Sequence, residues 1–171
     1  RPGIFVAGAF QGPKDVPDSV TDASGAAALA AEALSGARNT SVVVKSYPEE
    51  AEVGKEPRIG VFICACGSNI GGVVNVKEVA DYAAGLENVV FTDTNLYSCA
   101  QNTQDLIRDK IRDNRLNRVV VAACTPRTHE PLFQETLKNA CLNRSLFEMA
   151  NIRDHCSWVH ATAPMEATEK S

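Results

Sequence analysis

The sequence predicts an α/β domain with an open parallel sheet of about four strands and helices on both faces. Short, β-branched apolar runs recur through the second part of the chain, and each run is bounded by charged, Gly or Pro residues. Segments with helical spacing separate these runs, which favours parallel strands joined by right-handed crossovers. The expected strands cover residues 59–64, 89–92, 118–123 and 145–149.

Helices are expected between these strands. The first covers residues 76–84, where Asn75 is in N-cap position and Glu78 follows three residues later, as in a capping box. The later helices are expected over about residues 103–114, 130–141 and 152–161, from apolar residues at helical spacing. This alternation is typical of a Rossmann-like or flavodoxin-like sheet.

The opening segment, residues 1–46, is expected to form a separate strand–helix unit. It has an apolar run at residues 4–7 and an Ala-rich helical pattern at residues 19–34, and residues 42–45 suit a strand or an extended tail. Residues 47–57 are charged and contain prolines, which predicts a linker before the α/β domain of residues 58–163. Residues 164–171 are expected to be a truncated tail. Since no Met begins the chain, we expect a fragment of a longer protein.

Composition limits the classes of function. The chain has 171 residues, 44% of them hydrophobic, which is ordinary for a globular protein. Its net charge of −4 disfavours a nucleic-acid partner, which usually requires a basic face. No apolar run approaches the ~20 residues of a membrane span, and no leader pattern precedes the first strand, so we expect a cytoplasmic location.

Four of the six cysteines, Cys66, Cys99, Cys124 and Cys156, each follow a different expected strand. The carboxyl ends of parallel strands share one edge, so these thiols are expected to be neighbours. Four thiolates suit a [4Fe–4S] cluster or a structural zinc ion. Their dispersed spacing favours the cluster, because zinc sites usually draw on close Cys pairs. Three disulfides would instead be typical of a small secreted domain.

The remaining cysteines allow alternatives. Cys64 lies two residues before Cys66, so it is an alternative ligand or a small core residue, and Cys141 is expected to be core. A thiol–disulfide enzyme using Cys64 and Cys66 is disfavoured, because a bond between residues two apart on one strand is strained.

Several other groups are expected around the cluster. The backbone N–H groups of Gly67 and of the glycines at 71 and 72 are expected to approach cluster sulfurs. Arg127, His129 and Arg153 flank the ligands and would offset negative charge, or act as solvated loop residues and caps. His129 and His155 are alternative metal ligands. Residues 67–72 lack the Lys-Ser/Thr ending of a phosphate-binding loop.

Sequence blocks in the α/β domain resemble the family of heterodisulfide reductase A-subunits. These blocks are GVFICACG (60–67), NLYSC (95–99), VVVAACTPRTHEPLF (119–133) and FEMANIRDHCSWVH (147–160). The resemblance implies the family's cluster-bearing domain, which relays electrons between a flavin and iron–sulfur clusters, often in flavin-based electron bifurcation. It also implies partners: other heterodisulfide-reductase-like, hydrogenase or dehydrogenase electron-transfer subunits.

The opening residues, GIFVAGAFQGPKDVP (3–17), resemble the end of the thioredoxin-reductase-like FAD domain of the same proteins. The resemblance implies that Gly8, Ala9 and Ser19 lie near FAD in the parent protein, with Ala9 replacing the usual flavin-binding Asp. A single strand and helix cannot enclose FAD, so we expect this chain neither to bind it nor to be catalytic alone. The alternative function is a structural or docking domain, with zinc or no metal, that recruits redox partners.

Overall fold

The computed structural model describes residues 1–171, which divide into two compact units, Arg1–Lys45 and Ser46–Ser171. The first unit is a helix, α1 (Val16–Ala33), with short 3₁₀ turns at Gly8–Phe10 and Ser35–Ala37. The expected strand at residues 4–7 is not formed, because this unit has no second strand to supply backbone hydrogen bonds. Residues 42–45 likewise form no strand.

The second unit contains a four-stranded, fully parallel sheet, which confirms the predicted α/β fold. The strands are β1 (Ile59–Cys64), β2 (Val89–Asn95), β3 (Arg118–Ala123) and β4 (Phe147–Asn151), in the spatial order β2-β1-β3-β4. β4 begins and ends two residues later than expected. The chain passes from β1 to β2 on one side of the sheet and from β3 to β4 on the other side. These two connections therefore diverge at the carboxyl ends of the neighbouring strands β1 and β3, which is where open α/β sheets bind ligands.

The helices of this unit are α2 (Ser68–Gly71), α3 (Val76–Ala84), α4 (Gln101–Asp113), α5 (Pro126–Asn139) and α6 (Pro164–Lys170). A π-helical turn, Arg153–Ser157, replaces the longer helix expected over residues 152–161, and α6 occupies the expected tail. None of the helices is both long and apolar enough to span a bilayer. The cytoplasmic location stays a prediction.

Helices cover both faces of the sheet and form two cores, as the alternating side chains of a strand require. Phe62, completely buried, packs on one face with residues of α4 and α5, including Ile107 and Phe133. Ile63, also completely buried, packs on the other face with α2, α3 and α6, including Ile70. The direction of a side chain from β1 therefore decides which core it joins.

The expected linker lies along the amino-terminal edge of the strands as a docked arm, residues 47–57. The side chain of Asn117, just before β3, donates to the carbonyls of Gly54 (3.2 Å) and Glu56 (2.9 Å). Its carbonyl oxygen accepts from the backbone N–H of Arg58 at 2.7 Å. The Ala51 N–H also donates to the carbonyl of Cys141 at 2.8 Å. Polar contacts thus anchor a segment that has few apolar residues.

Candidate functional site

The loops after β1 and β3 carry the first candidate thiols. Cys64 is the last residue of β1, and Cys66 follows it with a left-handed backbone (φ 47°). Cys124 directly follows β3 and is buried. Cys99 lies in the loop between β2 and α4 and is exposed. These thiols therefore sit at the edge where the crossovers diverge, as the sequence predicts for three of them.

The pKa values of Cys99 and Cys124 respond to the neighbouring thiols. Although Cys99 is exposed as a residue, partial desolvation of its thiol raises its pKa, and the charge of Cys64 and, less strongly, of Cys66 raises it further. Burial also raises the pKa of Cys124, against the opposing charge of Arg153, while Cys64 and Cys66 again raise it. Cys64 and Cys66 thus each act electrostatically on Cys99 and on Cys124, and we call these four residues the edge thiols.

A raised pKa gives the exposed Cys99 a measurable pH dependence in metal-free protein. The thiolate is the reactive form, so a raised pKa leaves less of it at any pH below that pKa. We expect the midpoint of the Cys99 alkylation rate by iodoacetamide to lie above that of free glutathione in a pH series followed by mass spectrometry. Cys64→Ala should lower this midpoint, since it removes one repelling charge. A parent midpoint at or below that of glutathione would contradict the expectation.

Cys64 is bound to the loop that carries Cys99. The backbone N–H of Ser98 donates to the Cys64 sulfur at 3.3 Å, and this sulfur lies 3.9 Å from the Leu96 carbonyl oxygen. Cys64 is thus a core residue whose sulfur also contacts the loop that carries Cys99.

Cys156 lies in a different core from Cys64 and Cys124. It is buried in the other core, on the face covered by α2, α3 and α6, where its sulfur donates to the carbonyl of Lys170 at 3.5 Å. Cys66 packs against both cores, so it is the edge thiol that shares a core with Cys156. No group of three or more His, Cys, Asp or Glu side chains is arranged to coordinate an ion. The ligand set therefore stays a prediction.

The glycines after Cys66 use their N–H groups within the backbone. The N–H of Gly67 donates to Leu96 (3.3 Å), that of Gly71 to Ala65 (2.7 Å) and that of Gly72 to Ser68 (3.2 Å). The N–H groups of Gly71 and Gly72 close the tight turn into α2, and that of Gly67 joins this turn to the loop after β2, so their approach to cluster sulfurs stays a prediction. Gly67 has φ 57° and ψ −124°, a backbone conformation that residues with a side chain rarely adopt, so this position favours glycine.

Arg153 is the basic residue in contact with the edge thiols. Its guanidinium stacks 4.6 Å from the Trp158 ring centroid and donates to Asp154 at 3.1 Å. Burial lowers its pKa, but the hydrogen bond to Asp154 and the interactions with Cys124 and Cys66 give a net raised pKa. Arg127 is exposed and His129 half-buried in the first turns of α5.

A buried polar chain that sequence reasoning missed supports the Cys99 loop. Gln104, on α4, donates to the carbonyl of Ser98 and accepts from the hydroxyl of Thr136, on α5. Gln104 shares the buried face of α4 with Ile107 and Ile111. In the sequence, a polar residue at an apolar position of the helical pattern could have indicated this buried hydrogen bond. Two buried donors at this edge, the Ser98 hydroxyl and the Asn95 side-chain N–H₂, have no hydrogen-bond partner.

The residues expected near FAD lie in the first unit. Gly8 has φ 63°, and a Cβ there would lie 3.9 Å from the Ser19 side chain. α1 begins at Val16, not near Ser19, because the Asp15 carboxylate caps it by accepting from the Asp18 N–H at 2.8 Å. Ala9 lies in the 3₁₀ turn. The contacts of these residues with FAD in a longer protein stay a prediction.

Comparisons with known proteins agree with the resemblance in the sequence blocks. The chain is 54% identical over 117 residues to a protein of Archaeoglobus profundus that is named as like the heterodisulfide reductase A-subunit, covering 68% of this chain and 17% of that protein. It is 56% identical over 117 residues to the second iron-sulfur A-subunit of the CoB–CoM heterodisulfide reductase of Methanopyrus kandleri, covering 68% and 18%. No family model matches the chain.

A third relative is the A-subunit of the H(2):CoB-CoM heterodisulfide,ferredoxin reductase of Methanothermobacter marburgensis. It is 53% identical over 123 residues, covering 72% of this chain and 19% of the relative. The chain thus spans less than a fifth of the length of these curated relatives.

Proposed function

The chain belongs to the family of heterodisulfide reductase A-subunits, and from this premise we propose that its second unit is an electron-transfer module holding one [4Fe–4S] cluster. The observation that carries the proposal is the position of the edge thiols at the carboxyl ends of β1, β2 and β3, where the Ser98 N–H, beside Cys99, donates to the Cys64 sulfur at 3.3 Å. Thiolates are the ligands that iron–sulfur clusters use.

The residues present fit such a group in their chemistry. Four thiols lie at the carboxyl edge of a parallel sheet, and two buried donors there lack partners. The thiols are not in coordinating geometry, so holding a cluster requires their side chains to turn toward a common centre. Cys66 and Cys99 lie in loops outside the strands, where side chains have room to do so.

We propose Cys66, Cys99 and Cys124 as ligands, with Cys64 favoured over Cys156 as the fourth. The contact between Cys64 and the Ser98 N–H supports this choice, because it joins Cys64 to the Cys99 loop. Cys156 is engaged with the Lys170 carbonyl on the other face. Should Cys156 be the ligand, α6 must release that contact.

When bound, the cluster would supply one-electron redox capacity. The chain's own groups would hold it and adjust its electrostatics. The guanidinium of Arg153 would offset the negative charge of the thiolates, and the Ser98 N–H would donate to the Cys64 sulfur. The buried Phe62 and Phe133 lie in the core beneath Cys64 and limit access of water from that side.

In the longer protein, this module would exchange electrons with a flavin and with partner subunits. The names of two relatives describe iron-sulfur and ferredoxin reductase subunits, which supports partners of the electron-transfer class. We propose hydrogenase, dehydrogenase or heterodisulfide-reductase-like subunits in this role, and no catalysis by the module alone.

Anaerobic reconstitution of the chain with iron and sulfide tests the proposal. We expect about four iron atoms per chain and a broad absorption near about 400 nm that dithionite bleaches. A chain that takes up no iron under these conditions, although circular dichroism shows it folded, would reject the proposal.

A docking domain with zinc or no metal is the second candidate. It is favoured by exposed apolar side chains near the thiol-bearing loops, Leu96, Tyr97 and Trp158, and by the lack of coordinating geometry. Metal analysis of protein purified without oxygen separates the two, since one zinc and no iron per chain supports the docking domain.

A further inference from the structure

Ser98 is completely buried, and its hydroxyl has no hydrogen-bond partner. Leaving a buried polar group unpaired costs roughly 1–3 kcal/mol, and native proteins rarely do so without a reason. The other fully buried serine, Ser157, shows the ordinary solution, because its hydroxyl donates to the Asn69 carbonyl. The Ser98 hydroxyl is thus a donor available to a group that the polypeptide does not supply.

The remaining polar groups of Ser98 are fixed beside the edge thiols. Its backbone N–H donates to the Cys64 sulfur at 3.3 Å, and its carbonyl accepts from the buried Gln104 side chain. Cys99 follows it directly in the chain. Because its two backbone polar groups are held and its side chain is enclosed, the hydroxyl can move little beyond rotation about its side-chain bond.

We propose that the Ser98 hydroxyl donates a hydrogen bond to a cluster sulfur or to a ligating thiolate and raises the reduction potential of the bound cluster. This inference rests on the proposed function. A donor to sulfur stabilises the reduced cluster more than the oxidised one, because reduction adds negative charge. Ser98 is thus a positioning and tuning residue, distinct from the ligands.

The test compares Ser98→Ala with Ser157→Ala in reconstituted protein. The two variants make the same change at completely buried serines, but only Ser157 has a hydroxyl partner within the chain. We expect Ser98→Ala to keep the parent's iron content and to shift the midpoint potential downward in a titration followed by electron paramagnetic resonance. Ser157→Ala should keep the parent's potential.

Thermal unfolding of the iron-free proteins gives a second readout. Ser98→Ala removes no hydrogen bond there, so its melting temperature should equal or exceed that of the parent, whereas Ser157→Ala should melt lower. If iron-loaded Ser98→Ala has the same midpoint potential as the parent, this inference is overturned, but the proposed function is not. An iron-free Ser98→Ala that melts well below the parent also overturns it, because the hydroxyl then has a partner in the chain. A parent that binds no iron overturns the proposed function as well.

Discussion

Replacing Cys124 by serine is expected to abolish cluster binding, reducing the iron content after anaerobic reconstitution from about four atoms per chain to near none. The serine hydroxyl is nearly isosteric with the thiol but remains protonated near neutral pH, so it is a poor ligand for iron. Cys124 is buried directly after β3, where no other cysteine of the chain can replace it. Iron quantification and the absorption near about 400 nm provide the measurement.

Iron quantification on Cys64→Ser and Cys156→Ser decides which of these two cysteines is the fourth ligand. We expect Cys64→Ser to lose the iron and Cys156→Ser to retain most of it, and the reverse result would assign the role to Cys156. Cys141→Ser is the matched control, because Cys141 lies beyond α5 at the amino-terminal edge, where its carbonyl accepts from Ala51. If Cys124→Ser keeps the parent's iron content, the edge thiols are not the cluster site.

The sheet could be predicted because its signals are local. The β-branched run of β1 and the capping pair Asn75 and Glu78 specify their elements within a few residues, and the structure forms both. The residues at 4–7 carry an equally apolar pattern but form no strand, since a strand depends on a partner that this unit does not contain. Sequence periodicity reports the preference of a segment and gives no information about its partner.

The positions of the cysteines could be predicted in part for the same reason, whereas the ligand set stays a prediction. A strand end determines which edge a following cysteine reaches, and Cys66, Cys99 and Cys124 lie at the carboxyl edge that the sequence indicates. It does not determine which core that cysteine faces. The π-helical turn after β4 directs Cys156 to the core covered by α6, and this turn has no recognisable sequence pattern. The contact between Cys64 and Ser98 joins residues 34 apart and likewise depends on the folded loop.

Asn117 illustrates a further signal that depends on tertiary structure. The docked arm has few apolar residues, so its sequence predicts a free linker, yet the buried Asn117 side chain makes three hydrogen bonds to arm residues and to Arg58. Asn117→Ala is expected to lower the free energy of unfolding by about 2–3 kcal/mol. Water can replace part of the loss, because Gly54 and Glu56 are exposed.

Local release of the docked arm can be measured directly, since trypsin can cut after the exposed Lys55 only when the arm opens. We expect Asn117→Ala to accelerate this cleavage by at least about tenfold, followed by mass spectrometry under native conditions. Asn114→Ala is the control, because its side chain bonds only to the Lys110 carbonyl of its own helix. Equal cleavage rates in both variants would show that Asn117 does not hold the arm. A faster rate in Asn117→Ala alone would mean that one buried amide converts a linker-like sequence into a fixed edge of the domain.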